Sequence, residues 1–371
     1  MKKLLATVLL ALASTHTWAE EYKITIEFTP GVTNATEVEL SINGETTKAD
    51  IVDNRATFTG KIEDMAFAKL STKSRYHNII LENAEYDIRW QPYGTTSTGG
   101  DLHNLIYGYF QNPEYIAATK AHHQVTLKRS NIDDMDREAM AAWMAELRAA
   151  GAPRNKIKND YLHNILQGDY SALEKFLALK GNYDWNRYDL QKKLEMAQSY
   201  QKQLPENNDI AAYIESIKRG IARSKVRDNL AEGSIYKPVT AKTVDGEMLE
   251  LESVLKENKL VLLEFWASWC GPCRGAFPHL KRVYDEYHDK GFEIYAISLD
   301  EDHDDWLQAL EEEDAPWINL IDEDAFDAKS ALDYAVTGIP ASFLITSDGK
   351  MLGSDFRDWK LDDALKEFFD K

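Results

Sequence analysis

Residues 264–274 read EFWASWCGPCR, and this stretch decides how the C-terminal part of the chain folds. It continues an apolar run that begins at residue 260 and leads into a segment rich in helix formers. The pattern predicts a buried strand that passes directly into a helix at the cysteines. Cys270 and Cys273 are the only two cysteines of the chain. A bridge between residues this close in sequence closes almost no loop and adds little stability, which indicates chemistry rather than a structural disulfide.

The junction between strand and helix places Cys270 at or just before the helix N-terminus. Unpaired backbone N–H groups and the helix dipole favour an anion there, so the thiolate of Cys270 is expected to form readily. Cys273 lies about half a turn into the helix, less exposed but close enough to attack a mixed disulfide on Cys270. Pro272 suits the first helical turn, because the N–H that proline lacks would have no partner there. The spacing therefore predicts thiol-disulfide exchange.

Two other interpretations of the cysteine pair stay open at this point. A zinc site would need further ligands, because the chain has no second pair of cysteines. His279 and His288, in the segment that follows, are the candidate ligands. A structural disulfide without a catalytic role would leave the residues that flank the cysteines unexplained. The preferred interpretation has no metal at the site.

Signals for strands and helices alternate from about residue 233 to the C-terminus. This order is typical of an α/β domain with a mixed central sheet covered by helices on both faces. Residues 341–354 are predicted to form a hairpin around the turn SDGK. The pattern predicts strands at 260–267, 292–299 and 317–321, and helices at 270–290, 304–313, 324–334 and 361–369.

Two further regions are predicted before that domain. Apolar residues alternate with period two in the segment 20–100, which predicts a small β-rich domain of about six or seven strands. Residues 93–100 read YGTTSTGG and are predicted to form a turn-rich hinge that ends this domain. Residues 101–232 are rich in helix formers and are predicted to be a helical region. The predicted fold class is therefore multidomain, with the α/β domain at 233–371.

Residues 1–19 have the layout of a secretory signal peptide, with two lysines, an apolar run at 4–13 and a cleavage site after Ala19. The apolar run is too short to span a bilayer, so no stable membrane anchor is expected, and the predicted location is the periplasm. A formal net charge of −19 argues against binding to nucleic acid. Residues 237–371 carry 14 Lys and Arg against 31 Asp and Glu, so the acidity is concentrated near the C-terminus.

The stretch 264–274 resembles the active-site strand and helix start of thioredoxins. Phe277-Pro278 and residues 337–343, which read TGIPASF, are similar to the TlpA/ResA branch of exported thioredoxin-like proteins. The resemblance implies a thioredoxin fold over residues 233–371 and a cis peptide bond before Pro340, which would lie beside the cysteines. It also implies that substrate is bound by Trp269, Gly271, Pro272, Ile339 and Pro340, with the backbone of Ile339 pairing with a bound chain.

Glu264 lies six residues before Cys270, at the position of the buried acid of thioredoxins. On a strand whose neighbours are apolar, its carboxyl should be desolvated and its pKa raised, which suits it to exchange a proton with Cys273. Many TlpA/ResA-like proteins carry a second glutamate three residues after the second cysteine. Ala276 stands at that position here. Glu264 is therefore predicted to be the acid of this site.

The function predicted from the sequence is the reduction of partner protein disulfides by a periplasmic thiol-disulfide oxidoreductase, because Gly-Pro is the dipeptide between the cysteines of reducing thioredoxins. The resemblance implies an inner-membrane thiol electron donor and no cofactor. The alternatives are a disulfide isomerase and a client-binding module with accessory redox activity. A thiol peroxidase is disfavoured, because Leu263 and Ala267 occupy the positions of the proline and threonine of peroxiredoxins.

Overall fold

The structure is a computed structural model that describes residues 21–132 and 136–370. The chain divides into two compact units, residues 1–211 and 212–371. The predicted signal peptide at 1–19 lies outside the described residues. No helix in the described ranges has both the length and the apolar composition needed to cross a membrane. The division of the chain into domains at 20–100, 101–232 and 233–371 stays a prediction.

The first unit begins with two four-stranded sheets that pack face to face around one apolar core. The alternation predicted at the start of the chain is present, since Tyr22, Ile24 and Ile26 are buried and the residues between them are not. The sheet orders are β4-β1-β7-β8 and β3-β2-β5-β6. The strands in the described part of this region are β1 (Tyr22–Phe28), β2 (Glu37–Ile42), β3 (Glu45–Asp50), β4 (Arg55–Gly60), β5 (Ala66–Ser71), β6 (Tyr76–Leu81), β7 (Glu85–Gln91) and β8 (Gly94–Thr98).

The prediction of a hinge at 93–100 is wrong. Most of this stretch forms β8, which pairs antiparallel with β7 and closes one edge of its sheet. The threonines of the stretch favour extended backbone, and this preference outweighs the turn signal of the glycines. The helical region then starts at Asp101, directly after Gly100.

Helices follow the two sheets, as the composition predicts. Gly151 and Pro153 interrupt the sequence pattern, yet one helix runs past both of them. Gly151 lies where a side chain would press on His122, which explains a glycine at this helix contact. The helices are α1 (Asp101–Tyr107), α2 (Pro113–Leu127), α3 (Arg137–Gln167), α4 (Ala172–Gly181), α5 (Leu190–Gln203) and α6 (Asn208–Asp228), the last of which contains the boundary between the two units.

The second unit is built on a seven-stranded mixed sheet with the order β10-β9-β13-β12-β11-β14-β15. β11 lies at its centre, parallel to β12 and antiparallel to β14. The strands are β9 (Thr240–Thr243), β10 (Met248–Glu250), β11 (Leu260–Trp266), β12 (Phe292–Ser298), β13 (Ile318–Ile321), β14 (Ala341–Thr346) and β15 (Met351–Ser354). The helices are α7 (Leu251–Glu257), α8 (Gly271–Tyr287), α9 (His303–Glu313), α10 (Lys329–Asp333) and α11 (Asp358–Phe369).

The two faces of this sheet carry two separate apolar cores, which confirms the prediction of a sheet covered on both sides. Leu262 and Trp266 of β11 pack in the core that contains both cysteines, whereas Leu263 and Phe265 pack in the other. The predicted helix at 324–334 is not continuous, because Ala325 has a positive φ of 52°. A 3-10 turn at Ala325–Asp327 precedes the short α10 instead.

Candidate active site

Cys270 is the N-cap residue of α8, as the sequence predicts. It forms a disulfide with Cys273, whose backbone N–H donates to the Sγ of Cys270 over 3.2 Å. Cys270 is 4% exposed and Cys273 1% exposed, so the attacking sulfur is less accessible than the sequence suggested. In the reduced protein the helix N–H groups and dipole would favour a thiolate at Cys270.

The outer rim of the site is open. Gly271 and Pro272 are exposed, and a side chain at Gly271 would meet only open space. Trp269 is 61% exposed, and its ring centroid lies 6.4 Å from that of Phe326. Phe326 is a neighbour that sequence reasoning missed, because it belongs to the segment that was predicted to be a regular helix. Another molecule can therefore approach the disulfide beside an aromatic pair.

The Ile339–Pro340 peptide bond is cis, which confirms the prediction from the resemblance. Ile339 is half-buried and packs against both cores of the second unit. The carbonyl oxygen of Pro340 accepts a hydrogen bond from Nη2 of Arg357. This arginine was not predicted, since it lies 17 residues further along the chain and no local pattern marks it.

The loop that leads into α8 is held by Asp300, a buried carboxylate at the end of β12. Asp300 accepts hydrogen bonds from the backbone N–H of Ser268 over 2.8 Å and from its hydroxyl over 2.7 Å. The hydroxyl of Ser298 also donates to it. β11 and β12 are parallel, so their carboxyl ends meet at the same edge of the sheet. That arrangement is the one signal by which Asp300 could have been predicted.

Glu264 lies in the middle of β11, between Ala296 of β12 and Ser342 of β14. Residue alternation puts it on the face of Leu262 and Trp266, which is the face of the cysteines. The side chain is buried, as predicted. Burial raises the pKa of Glu264 to about 8; the positive charge of Arg357 lowers it and the negative charge of Asp355 raises it. The carboxyl can therefore change its protonation state near neutral pH.

Arg274, the cation nearest in sequence to the dithiol, is already paired. Its Nε lies 2.6 Å from a carboxylate oxygen of Glu313 and its Nη2 lies 2.7 Å from one of Glu312. Both acids belong to the C-terminal end of α9. The guanidinium therefore adds little uncompensated positive charge to the cysteines.

The histidines considered as zinc ligands have other partners. His279 bonds to Asp362 over 3.0 Å, and Nδ1 of His288 lies 3.2 Å from the carbonyl oxygen of Phe292. Among the residues that the structure describes, no three His, Cys, Asp or Glu side chains are grouped so that they could hold a metal ion.

A family model described as thioredoxin-like matches residues 258–351. Over 128 residues the chain is 30% identical to the thiol-disulfide oxidoreductase ResA of Bacillus thuringiensis subsp. konkukian (strain 97-27), in a match that covers 34% of this chain and 70% of that relative. The chain belongs to the TlpA/ResA-like branch of the thioredoxin superfamily. This ResA-like protein is a thiol-disulfide oxidoreductase.

Other relatives match a similar share of the ResA-like protein. The ResA of Bacillus subtilis (strain 168) is 28% identical over 127 residues, which are 34% of this chain and 68% of that relative. A solved thioredoxin domain of a thiol-disulfide oxidoreductase from Bacteroides vulgatus is 31% identical, with a TM-score of 0.35, and covers 38% of this chain and 98% of that one. These matches concern little more than a third of the chain.

Proposed function

We propose that this ResA-like protein is a periplasmic enzyme that reduces disulfides in partner proteins. The observation that carries the proposal is a buried acid with a raised pKa, Glu264, on the same sheet face as a dithiol at a helix N-cap. The signal-peptide pattern of residues 1–19 supports export. An inner-membrane thiol protein is the proposed source of electrons, and no cofactor is needed.

The proposed reaction has two exchange steps. The thiolate of Cys270 attacks one sulfur of the client disulfide, and the other client sulfur leaves as a thiolate. The carboxylate of Glu264 then takes the proton of Cys273, whose sulfur attacks Cys270 and releases the second client thiolate. Two electrons have passed to the client, and the enzyme holds the Cys270–Cys273 disulfide present in the structure. The electron donor returns the enzyme to the dithiol.

The reducing direction is supported by the environment of the sulfurs. Both cysteines are buried, and burial in apolar surroundings disfavours a thiolate. The charge of Arg274 is balanced by two carboxylates, and an ionised Glu264 would repel a thiolate on the same face. Strong oxidants of this fold hold their dithiol form unusually stable. The burial of the sulfurs and the balanced charge of Arg274 destabilise the dithiol form of this enzyme instead. They therefore favour the enzyme disulfide.

We expect the dithiol to be strongly reducing in equilibrium with glutathione. Its reduction potential should lie closer to that of thioredoxin, about −270 mV, than to that of a dedicated periplasmic oxidant, about −120 mV. Separating the two redox forms after alkylation, across a series of glutathione ratios, measures this value. A potential near the oxidant end would refute the proposed direction.

We propose that a client chain lies along the surface formed by Trp269, Gly271, Pro272, Ile339 and Pro340. Ile339 and Pro340 form what we call the client shelf, in which the backbone of Ile339 offers groups that an extended chain can pair with. The exposed ring of Trp269, the residue before Cys270, offers apolar area to the same client. This arrangement would present a client disulfide to the sulfur of Cys270.

Cys273→Ala is expected to trap clients, because the mixed disulfide on Cys270 then has no resolving thiol. Envelope proteins recovered with this variant should be released by dithiothreitol and identified by mass spectrometry. The matched control replaces both cysteines and should recover few of them. Equal recovery with this control would favour the client-binding module over the enzyme.

A further inference from the structure

Arg357 joins two parts of the active site that lie far apart in sequence. It follows β15 as the N-cap residue of α11, and its Nη2 donates to the carbonyl oxygen of Pro340 in the client shelf. Two residues earlier, the backbone N–H of Asp355 donates to the carbonyl oxygen of Ser342 over 2.8 Å. Ser342 is the residue of β14 that lies opposite Glu264. The segment that carries Arg357 is therefore anchored one strand away from Glu264.

The charges that act on Glu264 come from this one segment. Arg357 favours the ionised carboxylate, whereas Asp355 opposes it. Nη2 of Arg357 lies 3.7 Å from Oδ1 of Asp355. On the helix side, the titratable groups of α8 in the core cluster on the face of Glu264 are Cys273, Tyr284 and Tyr287, with Cys270 at the N-cap. The register partners of Glu264 in the sheet, Ala296 and Ser342, are uncharged. Arg357 is thus the cation that offsets the burial of the acid.

One hydrogen-bond donor of the Arg357 guanidinium has no partner in its buried position, within the part of the chain that the structure describes. Nε of Arg357 is buried and has no hydrogen-bond partner among the described residues. A buried donor without a partner destabilises the fold, so packing alone is a poor reason for an arginine at this position. The contacts with Pro340 and the charge beside Glu264 supply a functional reason.

We infer that Arg357 is a positioning residue that fixes the Pro340 carbonyl of the client shelf and holds a positive charge beside Glu264, so that one side chain serves both parts of the site. This inference rests on the roles proposed above for Glu264 and for the client shelf. Arg357 touches neither sulfur and takes no proton. It acts through the two groups that it adjoins.

Three variants of the full chain separate charge from packing. Arg357→Met removes the charge and the hydrogen bond to Pro340, and Arg357→Lys keeps a charge without the planar guanidinium. Asp355→Asn removes the opposing charge at a side chain that is 73% exposed, and asparagine tolerates the positive φ of 59° found there. This third variant is expected to fold normally, which keeps the test decisive if the first does not fold.

The pKa of Glu264 is the direct measurement, taken from carbon-13 side-chain signals of the oxidised protein and assigned with Glu264→Gln. Arg357→Met should raise this pKa by about one unit and Asp355→Asn should lower it, with Arg357→Lys closer to the wild type. In single-turnover reduction of a disulfide peptide, the rate at pH 7 should fall about tenfold for each unit of increase.

The possible outcomes distinguish the inference from the proposed function. An unchanged pKa of Glu264 in both Arg357→Met and Asp355→Asn would overturn the inference and leave the dithiol mechanism standing. Shifts of opposite sign in the two variants, with parallel shifts in the pH dependence of resolution, would support both. If the pKa of Glu264 shifts but the pH dependence of resolution does not change, Arg357 acts on Glu264 as inferred. That result would refute the proposed proton transfer between Glu264 and Cys273.

Discussion

Cys270→Ser is expected to abolish thiol-disulfide exchange, with a rate at least about a thousandfold below that of the wild type. A serine hydroxyl at the helix N-cap can still accept the N–H of residue 273, so the fold of α8 should be preserved. The hydroxyl is not ionised near neutral pH and cannot form a bond to sulfur by exchange. The rate is measured with a fluorescent disulfide peptide and dithiothreitol as reductant.

Cys273→Ser is the matched control for this prediction. It should also lose turnover, yet it should form the mixed disulfide on Cys270 within a single mixing experiment, because the attacking sulfur is intact. Mass spectrometry of the protein after mixing distinguishes the two variants. A stable peptide adduct on Cys270→Ser, or exchange at the wild-type rate, would show that Cys270 is not the nucleophile.

Glu264→Gln is expected to make the oxidised protein more stable and less active. The pKa of Glu264 is about 8 in the folded chain against an ordinary value of 4.5, so the unfolded form ionises first as the pH rises. Above pH 4.5 the acid therefore destabilises the fold. The size of this destabilisation grows until about pH 8 and stays constant at higher pH. Glutamine removes this cost, which is about 3 kcal/mol at pH 7 and vanishes below pH 4.

Hydrogen exchange of the β11 and β12 amides at several pH values measures this stability difference in the second unit. Turnover at pH 7 should fall about a hundredfold, since the resolving thiol loses its proton acceptor. Glu293→Gln is the control, because Glu293 is a buried acid with a raised pKa on the neighbouring strand β12, and it contacts Tyr284 instead of the dithiol. A variant of Glu264 that is neither stabilised nor slowed would refute its proposed role.

The parts of the site that could be predicted are those set by local sequence. The apolar run before Cys270 and the helix formers after it determine the strand, the N-cap and the burial of Glu264, all of which are confirmed. The cis bond before Pro340 came from the resemblance. Asp300 and Arg357 escaped prediction, because their partners lie 32 and 17 residues away and meet them only through the pairing of strands.

Errors in the fold prediction have the same origin. The stretch 93–100 carries turn residues, but an open edge of β7 offered it hydrogen bonds that only a strand could satisfy. The segment 324–334 contains several helix formers, but the positive φ of Ala325 prevents one regular helix there. In both segments the tertiary environment overrides the local sequence preference.

The two hydrogen bonds from Ser268 to Asp300 also bear on the entropy of catalysis. They order the loop that delivers the nucleophile before any client arrives, because both partners belong to the enzyme. A preorganised reacting group has little conformational freedom left to lose as the transition state is reached. The binding free energy of a client can then be used to align its own disulfide with the sulfur of Cys270.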